Sequence, residues 1–398
     1  MKKICLVVVG FYIGILSAFS QTTDSLNYKK RKLSVDEISL VSSYYGQDGE
    51  NSAVTGGIGT EKLNELSNNF EIKFHAYDKK NRKRNSTINI GIDYYTSASS
   101  DKIDAATISS ASSEDVRYYP SFEHSIENEI KRKKINFNIS TSIESDYVSL
   151  GFGSGITKKS IDQSREFTFK AQYYADRVKI ILPYELRTPL TGGLRGYANQ
   201  YDYPKKSRAT YNTFIACSQI INERLDIQLI ADLTYQHGFL SMPFHRVYFT
   251  DQSLKTELLP KSRFKIPIGI RANYFLGDHF ILRSFYRFYH DDWGLTANTA
   301  ELETVIKINT FLSASPFYRF YHQNGITYFA PYLQHNTNEE FYSSNYDLSK
   351  FNSHYFGAGM RFVPLKKIIG IKQIELRYGH YLRSNSLTSD ILSMLLKF

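Results

Sequence analysis

The stretch RFKIPIGIRANYFL, from Arg263 to Leu276, alternates strictly between two kinds of side chain. Every second residue from Phe264 onward is apolar, and the residues between them are mainly Arg, Lys, Pro, Gly and Asn. Because successive side chains of a β-strand point to opposite faces, this pattern predicts a long strand with one apolar and one polar face. Such a strand carries too much charge for a two-sheet sandwich, whereas it suits a barrel with lipid outside and a wet lumen.

The same alternation recurs along the chain. Leu225 to Tyr235 and Ile374 to Tyr378 each place apolar residues on one parity and mainly polar residues on the other. The chain ends in ILSMLLKF, from Ile391 to Phe398, which is again amphipathic and closes with an aromatic residue. A last strand of this kind resembles the assembly signal of bacterial outer-membrane barrels. We therefore expect barrel-assembly machinery to recognise the chain through Phe398, and outer-membrane lipid to surround it.

The N-terminus, MKKICLVVVGFYIGILSAFS, has the form of a secretory signal peptide. Two lysines precede a short apolar run, and small residues follow it. We expect residues 1–20 to be removed by cleavage between Ser20 and Gln21, and the mature protein to reach the outer membrane of a Gram-negative cell. Cleavage would leave Cys217 as the single cysteine, which excludes an internal disulfide and redox chemistry by a cysteine pair.

Composition argues against other classes of protein. After loss of the signal peptide, 47 basic residues stand against 39 acidic ones, a net charge of +8 spread along the chain. Nucleic-acid binding requires a concentrated basic face, so we expect none; the short basic tracts suit solvated turns or acidic lipid head groups. Mean hydropathy is −0.37, and no stretch after the N-terminus is long and apolar enough for a membrane-spanning helix. The 31 Tyr and 27 Phe residues suit a lipid-facing barrel wall.

Together these patterns predict an all-β fold, a single antiparallel up-and-down transmembrane β-barrel with a polar lumen over residues 36–398, preceded by a periplasmic segment at 21–35. About 16 strands are expected, or about 14 if weak strands are not formed. The long connections 47–66, 97–116, 176–206, 240–262 and 325–349 all follow upward strands, as they should if long loops lie outside the cell. The predicted upward strands are 36–46, 84–96, 133–146, 163–175, 224–239, 279–290, 311–324 and 371–383. The predicted downward strands are 67–78, 117–130, 148–158, 207–221, 263–276, 297–308, 350–363 and 387–398.

Distinctive motifs occur over essentially the whole mature chain. They are LSVDEIS from Leu33, YGQDGENSAVTGGIG from Tyr45, HAYD from His75, YTSASSD from Tyr95 and YSSNYDLSKFNS from Tyr342. These motifs resemble an exported barrel-like family of Bacteroidetes-type bacteria, the DUF3570 family of unknown function. The resemblance implies an outer-membrane location, and it brings no established activity, catalytic residue or cofactor with it. It also suggests a link to periplasmic redox maturation.

The hexapeptide FYRFYH occurs twice, at 285–290 and 317–322, on two predicted upward strands. Reflection about the hairpin tips places Arg287 and Arg319 on either side of Glu301, within about one residue of register. This row either stiffens the wall or forms a constriction that selects anionic or zwitterionic solutes. The predicted lumen charges are Arg283, Arg287, Glu301, Glu303, Arg319, Glu375 and Arg377. The residues predicted to form an aromatic girdle at the outer lipid interface are Tyr286, Phe288, Tyr318 and Phe320.

Acidic residues in the predicted loops form a second candidate site, because oxygen-rich loops can bind a cation such as calcium. No segment has the twelve-residue calcium-loop spacing, and solvated loop acids are the competing interpretation. The residues concerned are Asp48, Glu50, Asp101, Asp104 and Asp115, with further acids at Glu114, Asp291 and Asp292.

Enzyme signatures are absent or poor. The glycines of a nucleophile elbow around Ser154 are replaced by Phe152 and Ile156, and the glycine-rich run TGGIGTEK lacks the ending of a phosphate loop. We therefore predict a pore or transport-type channel for small solutes, with no enzymatic activity and no cofactor. The alternatives are a non-conducting barrel with a structural, assembly or surface-interaction role and, less favoured, a hydrolase that assembles Ser, His and Asp from distant strands.

Overall fold

Sixteen strands close into one antiparallel barrel in the computed structural model of the chain, which describes residues 33–96, 114–186, 203–365 and 370–398. Each barrel strand pairs with its neighbours along the chain, and the first strand pairs with the last. The barrel strands are β1 (Ser34–Asp48), β2 (Leu63–Tyr77), β3 (Lys83–Thr96), β4 (Glu114–Asn128), β5 (Lys133–Ile143), β6 (Tyr147–Lys159), β7 (Arg165–Lys179), β8 (Lys205–Asn222), β9 (Leu225–Gly238), β12 (Ser262–Leu276), β13 (Phe280–Asp291), β14 (Thr296–Lys307), β15 (Leu312–Gln323), β16 (Phe351–Phe362), β17 (Gln373–Arg383) and β18 (Leu387–Lys397). Two short strands in the connection before β12, β10 (Arg246–Tyr248) and β11 (Leu254–Thr256), pair only with each other.

The predicted fold is confirmed, and all sixteen predicted strands are present. The largest boundary errors are four residues, at the start of β2, predicted at 67 and found at 63, and at the end of β7, predicted at 175 and found at 179. The pair β10 and β11 was missed, since three-residue strands are too short to show a period-two pattern. Residues Ser34–Phe398 form one compact unit. The predicted signal peptide and residues 21–32 of the predicted periplasmic segment lie outside the described residues and stay predictions, whereas β1 begins at Ser34, inside that segment.

The ends of the chain close the barrel. Tyr44 lies opposite Leu392, and Leu40 lies opposite Leu396, in the β1–β18 ladder. The backbone N–H of Phe398 donates to the carbonyl oxygen of Ile38 at 2.8 Å. Closure of this seam satisfies the backbone groups that two free edge strands would expose, which is what a barrel in lipid requires.

The two faces of the wall differ in chemistry. On the outer face large apolar side chains are solvent-accessible in the isolated chain, including Ile268 at 51% exposure and Leu302 at 49%. The predicted girdle residues also lie on this face: Tyr286, Phe288 and Tyr318 are exposed, and the partly exposed Phe320 ring contacts the His354 ring. This distribution is typical of a barrel wall in contact with lipid. Within the described residues, no helix is both long and apolar enough to span a membrane.

Glycines on the inner face make room for aromatic rings that lie along the lumen wall. Gly91 faces Tyr119 across the β3–β4 ladder, and a Cβ atom at Gly91 would lie only 1.9 Å from the Tyr119 ring. A Cβ atom at Gly379 would lie 2.5 Å from the Tyr355 ring in the same way. Because both rings lie against glycine, they occupy little of the lumen cross-section while covering an otherwise exposed backbone.

Candidate functional site

The lumen wall between β13 and β17 carries a glutamate shared by two arginines. Glu303 accepts a hydrogen bond from Arg283 at 3.1 Å and one from Arg377 at 2.8 Å. Arg283 is its direct neighbour in the β13–β14 ladder, whereas Arg377 reaches it from β17, with β15 and β16 between them. The Arg377 guanidinium also lies 4.1 Å from the centre of the Phe317 ring. The three charged side chains therefore form one network across five strands.

Arg377 can reach so far because β16 presents glycines to the lumen at this height. Gly357 lies opposite Phe317, and Gly359 lies opposite Arg377. A Cβ atom at Gly359 would lie 3.7 Å from the nearer guanidinium nitrogen of Arg377. The absence of side chains leaves a shallow path along the wall, and the long arginine side chain occupies it.

The predicted Arg-Glu-Arg row is only half correct. Glu301 does pair with Arg319, at 2.7 Å, but Arg287 lies opposite Thr299 and not beside Glu301. The prediction that both FYRFYH arginines share Glu301 is therefore wrong. The β13–β14 hairpin is symmetric about Trp293, one residue earlier than we assumed, and this shift moves each pairing by two residues. The shared glutamate is Glu303 instead.

Glu375, the remaining predicted lumen charge, lies opposite Arg361 in the β16–β17 ladder, near the end of the barrel with short turns. Its carboxylate accepts a hydrogen bond from Gln373 at 3.4 Å. It lies two residues from Arg377 on the same face of β17. The lumen role predicted for all these charges stays a prediction.

The buried Asp291 carboxylate fixes the tip of the β13–β14 hairpin. Asp291 is 1% exposed and accepts hydrogen bonds from Arg263 Nε at 2.9 Å and from the Tyr289 hydroxyl at 2.7 Å. It also accepts from the backbone N–H groups of Trp293 and Leu295, both at 3.0 Å. The Arg263 guanidinium stacks on the Trp293 ring at 4.2 Å. Asp291 is therefore a structural anchor rather than an available cation ligand.

Three long connections pack together at the end of the barrel that carries the long loops, which we call the outer mouth. We call residues 52–57, 239–261 and 324–350 the loop cluster; Arg246 joins the first two segments by donating to the Val54 carbonyl oxygen at 2.6 Å. Val247 and Phe249, both 0% exposed, pack with Tyr342 in one of its cores. A second core includes Leu259 and Ile326 of the loop cluster together with Trp293 from the hairpin tip.

The loop cluster lies inside the mouth of the barrel. Its second core packs against Tyr289 of β13 and Tyr321 of β15, whose side chains point into the lumen. Arg383 of β17 donates to the Asp347 carboxylate at 2.6 Å, and Gln323 donates to the Asp347 carbonyl oxygen at 2.9 Å. The cluster therefore covers the part of the mouth formed by β13 to β17. The sequence did not predict this packing, because loops carry no periodic signal.

A serine, a histidine and a carboxylate meet within the loop cluster. Ser343 Oγ donates to Glu257 at 2.5 Å, and His245 Nδ1 lies 3.5 Å from the same carboxylate. Ser343 is 0% exposed, and its proton is directed to the carboxylate rather than to the histidine. A hydrolase requires a serine that a substrate can reach and a base that takes its proton. The trio is therefore a buried structural network, and it does not support the hydrolase alternative.

Two acidic groups in the loop cluster have lowered pKa values. Burial raises the pKa of Glu257, but His245 and the hydrogen bonds from Ser343 and Met242 outweigh burial, so this pKa lies below its ordinary 4.5. Burial likewise raises the pKa of Glu339, and hydrogen bonds from the Asn336 backbone and from His335 outweigh it. A carboxyl whose pKa is lowered by folding contributes stability above its unfolded pKa and loses it as pH falls through the folded value.

We expect the loop cluster to loosen reversibly when the pH falls below about 4.5, the unperturbed pKa of glutamate. Trp293, the single tryptophan, lies in the adjoining core and reports the change as a red shift of its emission. Glu257→Gln should show part of this red shift already at pH 7 and respond less to acid, because one of the two titrating carboxyl groups is gone. A wild-type spectrum that stays constant between pH 7 and pH 3 would contradict the expectation.

The opposite wall, formed by β3 to β9, carries a polar cavity that we call the wall pocket. Its volume is about 480 Å³. Arg208 pairs with Asp176 at 2.7 Å and donates to the Tyr147 hydroxyl at 3.1 Å, while Arg117 lies 3.6 Å from Glu144. The lining residues are Asn89, Arg117, Tyr119, Ser121, Ser140, Thr141, Ser142, Tyr147, Ser149, Tyr174, Asp176, Arg208, Thr210 and Gln236. The sequence prediction missed this pocket, because its residues come from seven strands.

The predicted cation-binding acids are not brought together as one group. Asp115 meets Glu144 and Asp146, with one carboxylate oxygen of each within 4.8 Å of the others. Asp48 ends β1 and Glu50 follows it, and neither belongs to this group, while Asp101 and Asp104 lie outside the described residues. These oxygens already have donors: Asp115 accepts from Ser145 Oγ at 2.5 Å, and Glu144 accepts from the Tyr95 hydroxyl at 2.9 Å. Cation binding stays a prediction.

Comparison with known protein families gives one match. The model of a family described as a protein of unknown function, DUF3570, matches residues 87–390. The chain belongs to this family. The resemblance to DUF3570 inferred from the sequence motifs is thereby confirmed, while the Bacteroidetes-type origin stays a prediction; the family description assigns no activity. No curated protein matches the sequence.

Several solved structures are similar to this DUF3570 barrel at very low identity. OccK9 (OpdG) of Pseudomonas aeruginosa is 7% identical, with a TM-score of 0.44, and the match covers 92% of this chain and 98% of that one. A BenF-like porin of Pseudomonas fluorescens Pf-5 is 8% identical, with a TM-score of 0.41 and coverage of 91% and 98%. The siderophore receptor PirA of Acinetobacter baumannii is 12% identical, with a TM-score of 0.46; the match covers 89% of this chain but 53% of that receptor. These similarities say nothing about what this barrel binds or transports.

Proposed function

We propose that this protein is an outer-membrane pore for small polar solutes. The observation that carries the proposal is the division of one closed wall into an apolar outer face and an inner face lined by charged and hydrogen-bonding groups. Lipid stabilises the outer face, and water or solute stabilises the inner one. The network at Glu303 and the wall pocket line the same lumen on opposite sides, so a passing solute meets both.

The loop cluster supports a narrow or gated pore rather than a wide one. It contacts the lumen-facing residues Tyr289, Tyr321 and Arg383 and thereby occupies part of the mouth. The same observation favours the second candidate, a barrel without conductance that serves a structural or surface role. A link to periplasmic redox maturation gains no support, because Cys217 is the single cysteine of the described residues and its side chain lies on the outer face of β8.

Planar-bilayer recording of the purified barrel tests the proposal. We expect stepwise conductance from the wild type and a larger or more persistent conductance from Glu257→Gln, which loosens the loop cluster. Stepwise conductance in either protein supports a pore, and conductance in the variant alone assigns the gate to the loop cluster. Folded protein, recognised by its heat-dependent electrophoretic mobility, that conducts in neither form would overturn the pore and leave the structural role.

A further inference from the structure

We infer that the wall pocket is a binding subsite for a small neutral polyhydroxylated solute, a compound of the saccharide class. The inference deepens the proposed pore function and rests on it. The pocket lies in the outer part of the lumen, because Tyr147, Asp176 and Arg208 all lie near the ends of β6, β7 and β8 that carry the outer connections. Its volume of about 480 Å³ is within the range of small-molecule sites, about 300–1,000 Å³.

The charges of the pocket are already compensated. The Arg208 guanidinium binds Asp176 and the Tyr147 hydroxyl, and Arg117 lies near Glu144 while donating to Ser142 Oγ at 3.0 Å. An anionic solute would meet the Asp176 carboxylate, and a cationic solute would meet the two guanidinium groups. A neutral solute avoids both repulsions and leaves the existing pairs intact.

One acceptor in the pocket has no partner. Asp176 is 4% exposed, and its Oδ1 atom makes no hydrogen bond with any part of the chain that the structure describes. A buried carboxylate oxygen without a donor is costly, and a small shift of the Asp176 side chain toward the lumen would let a solute hydroxyl donate to it and remove this cost. The pocket thus favours ligands that bring hydroxyl donors.

The remaining polar groups that line the pocket can bind solute hydroxyl groups both as hydrogen-bond donors and as acceptors. Ser121, Ser140 and Thr210 can each donate and accept, and the Gln236 amide offers one donor group and one acceptor. Tyr119 and Tyr174 add ring surface on the lumen face, where they lie against Gly91 and Gly151. A saccharide ring presents hydroxyl groups at its edge and C–H groups on its faces, and this combination matches both kinds of surface.

The first test is equilibrium binding to the purified full-length barrel in detergent, measured by saturation-transfer NMR with maltose, alanine and succinate as probes. We expect maltose to bind and the zwitterionic and dianionic probes to bind at least about tenfold more weakly. This measurement needs no conductance, so a barrel that binds maltose without conducting would refute the pore and keep the subsite. No maltose binding, or preferred binding of either charged probe, would overturn the inference.

Three variants locate the binding. Ser121→Leu fills the pocket and should reduce maltose affinity about tenfold or more, whereas Ser315→Leu, the same change on the lumen face of β15 outside the pocket, should not. Asp176→Asn removes the carboxylate with the unpaired oxygen and frees Arg208 of its ion pair, so maltose binding should weaken while succinate binding strengthens. Equal effects of the two leucine variants, or an unchanged probe order in Asp176→Asn, would overturn the assignment. If Asp176→Asn does not fold, the leucine pair still decides.

Discussion

Asp291→Asn is expected to destabilise the outer end of the barrel by about 3–5 kcal/mol, the usual cost of breaking a buried charge pair from one side. Asp291 is 1% exposed and satisfies Arg263, Tyr289 and two backbone N–H groups of the hairpin tip. Asparagine keeps the shape but brings N–H donors to a place where every neighbour is already a donor. The Arg263 charge would then be left without its carboxylate on the face of the Trp293 ring.

The measurement is the emission of Trp293 during urea unfolding. In Asp291→Asn the emission should be red-shifted before unfolding begins, because the core around Trp293 opens to water. Asp292→Asn is the matched control: that residue is exposed, and its carboxylate accepts from the Phe264 backbone N–H at 3.0 Å. A change at such a surface position typically stays within about 0.5 kcal/mol. Equal shifts in the two variants would contradict the anchoring role of Asp291.

The same carboxylate explains why sequence reasoning was right about the strands and wrong about one pairing. Alternating polarity fixes which residues form each strand, so all sixteen were found. The register of two paired strands depends on which residue lies at the tip of the hairpin. Between β13 and β14 the tip is shaped by hydrogen bonds to Asp291, and these cannot be inferred from the alternation of polar and apolar residues. The predicted strands 297–308 and 311–324 left only two residues for the next turn, which offered less choice, and there the predicted pairing of Glu301 with Arg319 is correct.

The lumen contacts missed by the sequence join residues that are distant along the wall. Reflection about a hairpin tip finds only adjacent strands, whereas Arg377 reaches Glu303 across two intervening strands over the glycines of β16. The wall pocket combines seven strands, and the loop cluster combines three connections whose apolar residues follow no repeat. The path of Arg377 depends on where glycine leaves the lumen wall without a side chain as much as on where charged residues occur.

Glu303→Gln is expected to shift the pore toward anions. Glu303 neutralises Arg283 and Arg377 together, so its loss leaves two guanidinium groups on the lumen wall and frees Arg377 from the contact that holds it there. One added unit charge about 7 Å from a passing ion changes its energy by about 0.6 kcal/mol in water before screening by salt, with opposite signs for anions and cations, which is roughly a sevenfold change in the anion-to-cation permeability ratio. Because exposed pairs contribute only about 0–1 kcal/mol, the barrel should remain folded.

The reversal potential in a KCl gradient measures this permeability ratio. The gradient should lie near 0.1 M, where the Debye length is about 10 Å, because higher salt shortens the Debye length and screens the added charge. The double variant Glu303→Gln with Arg377→Gln restores the charge and should return the reversal potential to the wild-type value. Glu301→Gln removes the partner of a single arginine, Arg319. This variant should shift the reversal potential without freeing Arg377, so its conductance should stay closer to that of the wild type. If Glu303→Gln conducts with an unchanged reversal potential, the network serves only to stiffen the wall, because ions that pass within its reach must respond to its charge.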